Sequence, residues 1–152
     1  MAVARPGEVV ANFRLTDRQG RPVSLWDYKH RRPVVLVLPE RDASGLLSGF
    51  AEHYPDYRRS GGEVLALVPG TAPAAELPFP VLRDPRGATG DRMTRNRPSV
   101  LVLDSYGELF ARWEGAEAAA PDHGEIADWL FFTQVQCEEC GIMAPHWRRT
   151  EA

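Results

Sequence analysis

A run of consecutive apolar residues, VVLVLP at positions 34–39, sets the strongest constraint on the fold. It has no polar face, which is typical of a strand covered on both sides of a sheet. The segment GGEVLALVPG at positions 61–70 has the same pattern and predicts a second buried strand. A buried run at positions 100–103 and an alternating run at 109–113, joined by a turn, predict a hairpin. Together these segments predict the centre of a β-sheet.

Helical spacing of apolar residues separates these strands along the chain. Between positions 44 and 59, leucine and aromatic side chains recur at helical spacing, and we predict a helix that Ser44 caps and Pro55 breaks. A last helix is predicted to begin after Asp122, which suits the N-cap position. The alanine-rich connection at positions 115–121 is expected to be flexible.

The order of these elements predicts an α/β fold with a central mixed sheet flanked by helices. Alternation around a turn at positions 17–20 adds an N-terminal hairpin. A length of 152 residues suits one domain. We place that domain at residues 1–136, with the last helix included, and a C-terminal tail with a cysteine pair at residues 137–152.

Charge and hydropathy exclude several classes of function. The net charge of −3 and the pI near 5.8 give no general electrostatic case for binding nucleic acid or an acidic membrane. No stretch approaches the length of an apolar membrane span. The first residues lack the apolar core of a secretory signal. We therefore expect a cytoplasmic protein with no nucleic-acid partner and no membrane partner.

Several segments in succession are similar to one known family. The chain contains, in this order, GEVVANFRLTDRQGRPVSLWDY, VVLVLP, GGEVLALVPG, FPVLRDPRG and PSVLVLDSYGELFARWEG. This succession, from Pro6 to Trp113, resembles the peroxiredoxin-like proteins of the alkyl hydroperoxide reductase and thiol-specific antioxidant family. The resemblance implies a thioredoxin-like fold and thiol-based antioxidant chemistry.

The family carries its reactive groups in the loop after the central strand: a proline, then a threonine, then the peroxidatic cysteine. The resemblance assigns the proline to Pro39, the threonine position to Ala43 and the cysteine position to Leu46. It also assigns Pro98 to the cis-proline that faces the active site in thioredoxin. We call these four residues the vacant family site, because none of them carries a nucleophile.

Peroxide reduction in this family needs a thiolate at a helix N-terminus and donors that polarise the peroxide. Leu46 has no group that attacks peroxide, and the nearest cysteine in the chain is Cys137. The resemblance therefore excludes the family's standard mechanism at the vacant family site. The family's activating arginine falls on or beside Pro98, where Arg95 and Arg97 are candidates to replace it.

The only two cysteines, Cys137 and Cys140, have the spacing of dithiol redox centres and of half a zinc site. As a redox pair, Cys140 would attack and Cys137 would resolve, or the two roles would be reversed, and a thioredoxin-type reductant would restore both. Glu138, Glu139 and the preceding helix C-terminus disfavour thiolates, which favours a slow, reducing dithiol. As zinc ligands, the pair would need His146 and one further group. Unreactive thiols are the third interpretation.

A hypothesis from a different class is a non-catalytic binding module. In that case the vacant family site would hold a peptide or a small apolar molecule, and the cysteines would be structural or bind metal. Trp129, Phe131 and Phe132 make the last helix apolar on more than one side, which indicates deep burial or the face of a homodimer. His53 and its acidic neighbours are typical of a solvated helix face.

Overall fold

The computed structural model describes residues 3–73 and 75–135 and shows a mixed sheet of seven strands. The strands are β1 (Arg14–Thr16), β2 (Pro22–Ser24), β3 (Val34–Leu38), β4 (Glu63–Val68), β5 (Val81–Arg83), β6 (Ser99–Leu103) and β7 (Leu109–Glu114). Their order across the sheet is β2-β1-β5-β4-β3-β6-β7. The N-terminal hairpin β1–β2 joins the sheet next to β5, at one side of the central strands.

Five α-helices accompany the sheet in the described residues: α1 (Ser44–Glu52), α2 (Tyr54–Arg59), α3 (Ala88–Asp91), α4 (Ala116–Ala119) and α5 (His123–Gln134). Short 3-10 turns form at Leu25–Tyr28 and Pro85–Gly87. None of the helices in this part of the chain has the length and apolar character needed to cross a membrane.

Strand direction distinguishes the two ends of the sheet. Strand β3 runs parallel to β4, and β4 runs parallel to β5, whereas β6 is antiparallel to β3. Leu38 pairs with Ser99, so the register places Pro39 next to Pro98. We call this end, where β3, β4 and β5 finish and β6 begins, the Pro39 end. The other end, where β3 begins after Pro33, is the Pro33 end.

The central strand β3 is buried on both faces, as its uninterrupted apolar run predicts. Val35 and Val37 point to the face that the helices cover, where Leu47 and Phe50 of α1 are fully buried. Its remaining side chains join the opposite face, which the N-terminal segment and the first 3-10 turn cover. Burial of each such leucine or phenylalanine stabilises the fold by roughly 1.5–3 kcal/mol.

Helix α5 packs across the helical face and finishes at the Pro33 end. Asp122 accepts a hydrogen bond from a backbone N–H of the first turn and caps the helix. Leu130 is fully buried and lies against Gly62 so closely that a Cβ there would overlap it. The Gln134 side-chain amide donates a hydrogen bond to the Ser60 carbonyl. These contacts seat the end of α5 on the turn that leads into β4.

The α/β prediction is confirmed, and so is the helix break at Pro55, which stands in the first turn of α2 where proline is accommodated. The prediction that Ser44 caps α1 is wrong. Ala43 occupies the N-cap position, and the Ser44 hydroxyl donates to Asp42 instead. The expected flexible connection is also wrong, because it contains α4, whose Ala118 is fully buried against the core.

Candidate functional site

The Pro39 loop leads directly from the central strand into α1. Pro39 and Ala43 are buried, with 3% of Ala43 exposed. Leu46 lies in the first turn of α1, half-buried, and packs against the core on the helical face. Pro98 is half-buried, and the bond between Arg97 and Pro98 is cis. The four residues of the vacant family site therefore gather at the Pro39 end, and none of them offers a proton or an electron pair for catalysis.

Arg97, the residue before Pro98, reaches this loop. Its guanidinium donates hydrogen bonds to groups of the protein itself. Its guanidinium donates to the carbonyl of Gly87 at 3.0 Å, to the Asp91 carboxylate at 3.3 Å and to the Pro39 carbonyl at 3.4 Å. Only 17% of the side chain is exposed. A Cβ on Gly90 would overlap the guanidinium, so the absence of a side chain there makes room for it.

Arg97 thus ties the Pro39 loop to the segment around α3. Arg95, the other candidate for the family's activating arginine, is exposed. The structure brings Arg97, and not Arg95, into hydrogen-bond contact with Pro39. With its N–H groups directed at two backbone carbonyls and a carboxylate, Arg97 acts as an anchor for the loop.

A second polar network holds the segment that carries Pro98. The Thr94 hydroxyl donates to the Glu114 carboxylate at 2.8 Å and lies 2.6 Å from the Ser99 hydroxyl. Burial raises the pKa of Glu114, but hydrogen bonds from Thr94 and Asn96 and the charge of Arg112 outweigh burial and lower the pKa below its ordinary value. A charged Glu114, at the end of the edge strand β7, therefore holds this segment through its hydrogen bonds.

The predicted thiol and metal residues, Cys137, Cys140 and His146, lie outside the described residues, as does the predicted domain boundary at residue 136. The last described residue, Val135, follows α5 at the Pro33 end. The last described residue therefore lies at the end of the sheet opposite the vacant family site. In residues 3–73 and 75–135, no cluster of three or more histidine, cysteine, aspartate or glutamate side chains could hold a metal ion.

The structure reveals a histidine cluster that the sequence analysis missed. The ring of His123, at the start of α5, stacks on His53 with centroids 4.2 Å apart. Its Nδ1 lies 2.6 Å from the hydroxyl of the buried Tyr57, and Phe50 meets it edge-on at 4.7 Å. His53 is therefore not simply part of a solvated face. The helical spacing from His53 to Tyr57 was visible in the sequence, but the contact with His123 depends on how α5 docks.

Burial within this cluster changes the protonation of His123. Burial lowers the pKa of His123, and the nearby His53 lowers it further, whereas Asp122, Glu52 and Asp56 act in the opposite direction. Burial also raises the pKa of Tyr57. The neutral forms of both groups are therefore favoured, and the cluster serves to join α5 to α1 and α2.

Proteins of known structure share this fold. Peroxidoxin BcpB from Mycobacterium tuberculosis superposes with a TM-score of 0.66 and 18% identity, over 87% of this chain and 98% of that one. The chloroplastic peroxiredoxin Q of Oryza sativa subsp. japonica is 24% identical over 143 residues, which cover 88% of this chain. The chain therefore has the thioredoxin-like fold, and its sequence is similar to that of peroxiredoxins.

Thiol-disulfide enzymes share the fold as well. The thioredoxin domain of a thiol-disulfide oxidoreductase from Bacteroides vulgatus superposes with a TM-score of 0.62 and 14% identity, over 84% of this chain and 99% of that domain. The chain spans 61% of the length of the rice relative. No protein-family model matches the chain.

Proposed function

We propose that this chain is an atypical thiol-disulfide oxidoreductase that works through Cys137 and Cys140 and not through the vacant family site. One observation carries the proposal. The fold that its relatives use for thiol chemistry contains no cysteine from residue 1 to residue 136, and both cysteines of the chain follow directly after α5. Thiol chemistry on this scaffold therefore requires the pair that follows α5.

The proposed reaction balances with peroxide as the oxidant. The Cys140 thiolate attacks one peroxide oxygen, the O–O bond breaks, and hydroxide leaves and takes up a proton to form water. Cys140 is then a sulfenic acid. The Cys137 thiolate attacks its sulfur, a second water leaves, and a disulfide forms. A thioredoxin-type dithiol reduces that disulfide by exchange through a mixed disulfide.

The geometry of the described residues supports a separation from the vacant family site. Arg97 donates hydrogen bonds to the carbonyls of Pro39 and Gly87, and Leu46 packs against the core. The last residues of α5 lie instead beside Ser60 and Gly62 at the Pro33 end. We therefore propose that the thiols meet peroxide or a protein disulfide without help from Pro39 or Leu46.

A coupled assay tests this proposal. Full-length protein, reduced and stripped of metal, is mixed with peroxide, thioredoxin, thioredoxin reductase and NADPH, and the loss of NADPH is followed. We expect turnover that Cys137→Ser and Cys140→Ser each abolish. A Ser44→Ala variant, which removes a hydroxyl next to Ala43 of the vacant family site, is the control and should keep the wild-type rate.

Two results would contradict the proposal. One is turnover that persists in both cysteine variants. The other is stoichiometric zinc in freshly purified protein together with unreactive thiols, since zinc held by Cys137, Cys140 and His146 would make the pair structural. That second result would support a non-catalytic binding module that uses the vacant family site.

A further inference from the structure

Large apolar side chains that remain exposed are few in the described residues, and they form two groups. Val9, Trp26 and Tyr106 are 67%, 60% and 56% exposed. Phe131 and Val135 are 57% and 52% exposed. The first group lies around the turn that joins β6 to β7, and the second lies on α5. Exposed apolar side chains that cluster beside charges of one sign mark interaction surfaces.

The first group belongs to a surface that carries positive charge. The Lys29 ammonium lies 4.9 Å from the centre of the Trp26 ring. Trp26 and Tyr106 line one shallow pocket together with Lys29, and Arg31 is exposed in the same loop. Val9 joins them, because its backbone bridges to the residue at position 108. We call Val9, Trp26, Lys29, Arg31 and Tyr106 the basic patch.

The carboxylates next to the basic patch are engaged in fixing its backbone. Asp27 accepts a hydrogen bond from the Ser24 N–H at 3.0 Å. Asp104 accepts one from the Tyr106 N–H at 2.9 Å. In residues 3–73 and 75–135, no ion pair engages Lys29 or Arg31. Within these residues, the two cations of the patch therefore have no ion-pair partner.

The second group belongs to a surface of the opposite charge. Asp128, Phe131 and Val135 are spaced three and four residues apart along α5, so they share its outward face. Glu125 is exposed one turn before Asp128, and α5 contains no lysine or arginine. In the same part of the chain, no ion pair engages Glu125 or Asp128. We call these four residues the acidic stripe.

We propose that the basic patch of one copy of this chain binds the acidic stripe of a second copy. Each surface combines large apolar side chains with charges that form no ion pair within residues 3–73 and 75–135, and these charges are of opposite sign. Contact would bury the rings of Trp26 and Tyr106 against Phe131 and would pair Lys29 with Asp128. The complementarity lies within a single sequence, so the partner with the matching chemistry is the chain itself.

The proposed contact is heterologous, because two different surfaces meet. After one contact forms, each pair still presents one basic patch and one acidic stripe, so association continues until a ring closes or a chain grows. A small interface of this kind gives weak, reversible association. Added salt weakens it, because the charges lie at the protein surface.

Sedimentation velocity of the full chain over a range of concentrations tests the proposal. Reducing conditions exclude intermolecular disulfides through Cys137 or Cys140. We expect the average mass to rise with concentration. Lys29→Glu and Asp128→Lys should each weaken self-association by about tenfold or more, because each places like charges opposite one another.

Sedimentation velocity of a mixture of the two variants is the decisive experiment. Lys29→Glu places a carboxylate opposite Asp128, and Asp128→Lys places a cation opposite Lys29, so neither variant should associate alone. In the mixture, the unchanged basic patch of the Asp128→Lys protein can bind the unchanged acidic stripe of the Lys29→Glu protein, so the mixture should associate. Two exposed charges at the Pro39 end supply controls, and Arg92→Glu and Glu40→Lys should associate like the wild type. A wild type that stays monomeric throughout, or a mixture that stays monomeric, would overturn the proposal.

Discussion

The Pro39 end and the Pro33 end of this molecule differ in what the sequence has placed there. At the Pro39 end, to which the resemblance assigns a thiol site, the structure has a loop after the central strand, a helix start and a cis Arg97–Pro98 bond, and the side chains there are Leu46, Ala43 and prolines. The Pro33 end receives α5, and both cysteines follow that helix. The difference teaches that a backbone arrangement does not by itself determine which side chains a sequence places on it.

Polar side chains also serve different purposes at the Pro39 end and on the helical face of the sheet. At the Pro39 end, Arg97 and Glu114 hold backbone segments through charged hydrogen bonds. On the helical face, His53, Tyr57 and His123 join helices through ring stacking and one hydrogen bond between side chains. Arg97 and Glu114 hold the segments next to the strand ends, whereas the histidine cluster determines how α5 lies on α1 and α2.

The largest effect is expected where α5 is seated. Leu130→Ala removes a fully buried side chain that fills the space above Gly62, and we expect the free energy of unfolding to fall by about 2–5 kcal/mol. Urea denaturation at low protein concentration measures it. Phe131→Ala, one residue later on the exposed side, is the matched control and should change stability by about 0.5 kcal/mol or less. Equal losses in both variants would contradict this placement of α5.

A smaller effect is expected at the Pro39 end. Gly90→Ala would place a Cβ where the Arg97 guanidinium lies, and displacing that group breaks its hydrogen bonds. We expect a loss of about 1–3 kcal/mol of stability. Gly45→Ala in α1, where a Cβ meets no atom within 4 Å, is the matched control. It should stabilise the protein by about 0.5–1 kcal/mol, because alanine favours the helix. A stable Gly90→Ala protein would show that Arg97 is not an anchor.

The histidine cluster predicts a dependence of stability on pH. Since burial lowers the folded-state pKa of His123 below its ordinary 6.5, the unfolded chain takes up the proton first as the pH falls. The contribution of neutral His123 is therefore fully present above pH 6.5 and is lost progressively below it, until the folded protein is also protonated. Melting temperatures measured against pH should show this loss in the wild type.

Two variants sharpen the pH prediction. His123→Asn keeps an acceptor for Tyr57 and removes the titrating ring, so the loss of stability below pH 6.5 should become smaller. Tyr57→Phe keeps both histidines and should retain the slope while losing about 1 kcal/mol from the missing hydrogen bond. An unchanged slope in His123→Asn would mean that another group accounts for it.

The smallest effect is expected from the family's cysteine position. Leu46→Ser changes the side chain at the vacant family site and should leave the rate of peroxide oxidation unchanged, because the proposed thiols work without that site. The rate of disulfide formation, measured by thiol titration, checks it. A clear slowing would show that the thiols depend on the Pro39 end.

The sequence predicts the sheet well because its signals are local. The apolar run of β3 and the turn at positions 17–20 are determined by neighbouring residues, and both are confirmed. Pro55 breaks the helix for an equally local reason. The cap of α1 was wrong because the Ser44 hydroxyl bonds to Asp42 and not to the helix backbone.

The candidate site could be predicted only in part, because its contacts join distant parts of the chain. The bond from Arg97 to the Pro39 carbonyl spans 58 residues, and that between Tyr57 and His123 spans 66. No periodicity in one segment indicates which segment it will meet. The close approach of Gly90 to Arg97 is likewise visible only when the helices are placed.

The intact mass of the reduced, metal-free wild-type protein during a peroxide time course tests the central claim most directly. The proposed mechanism predicts a loss of two hydrogens, faster than oxidation of free cysteine, and complete restoration by thioredoxin and its reductase. Mass that changes no faster than that of free cysteine would contradict it, since Cys137 and Cys140 would then have no working redox chemistry.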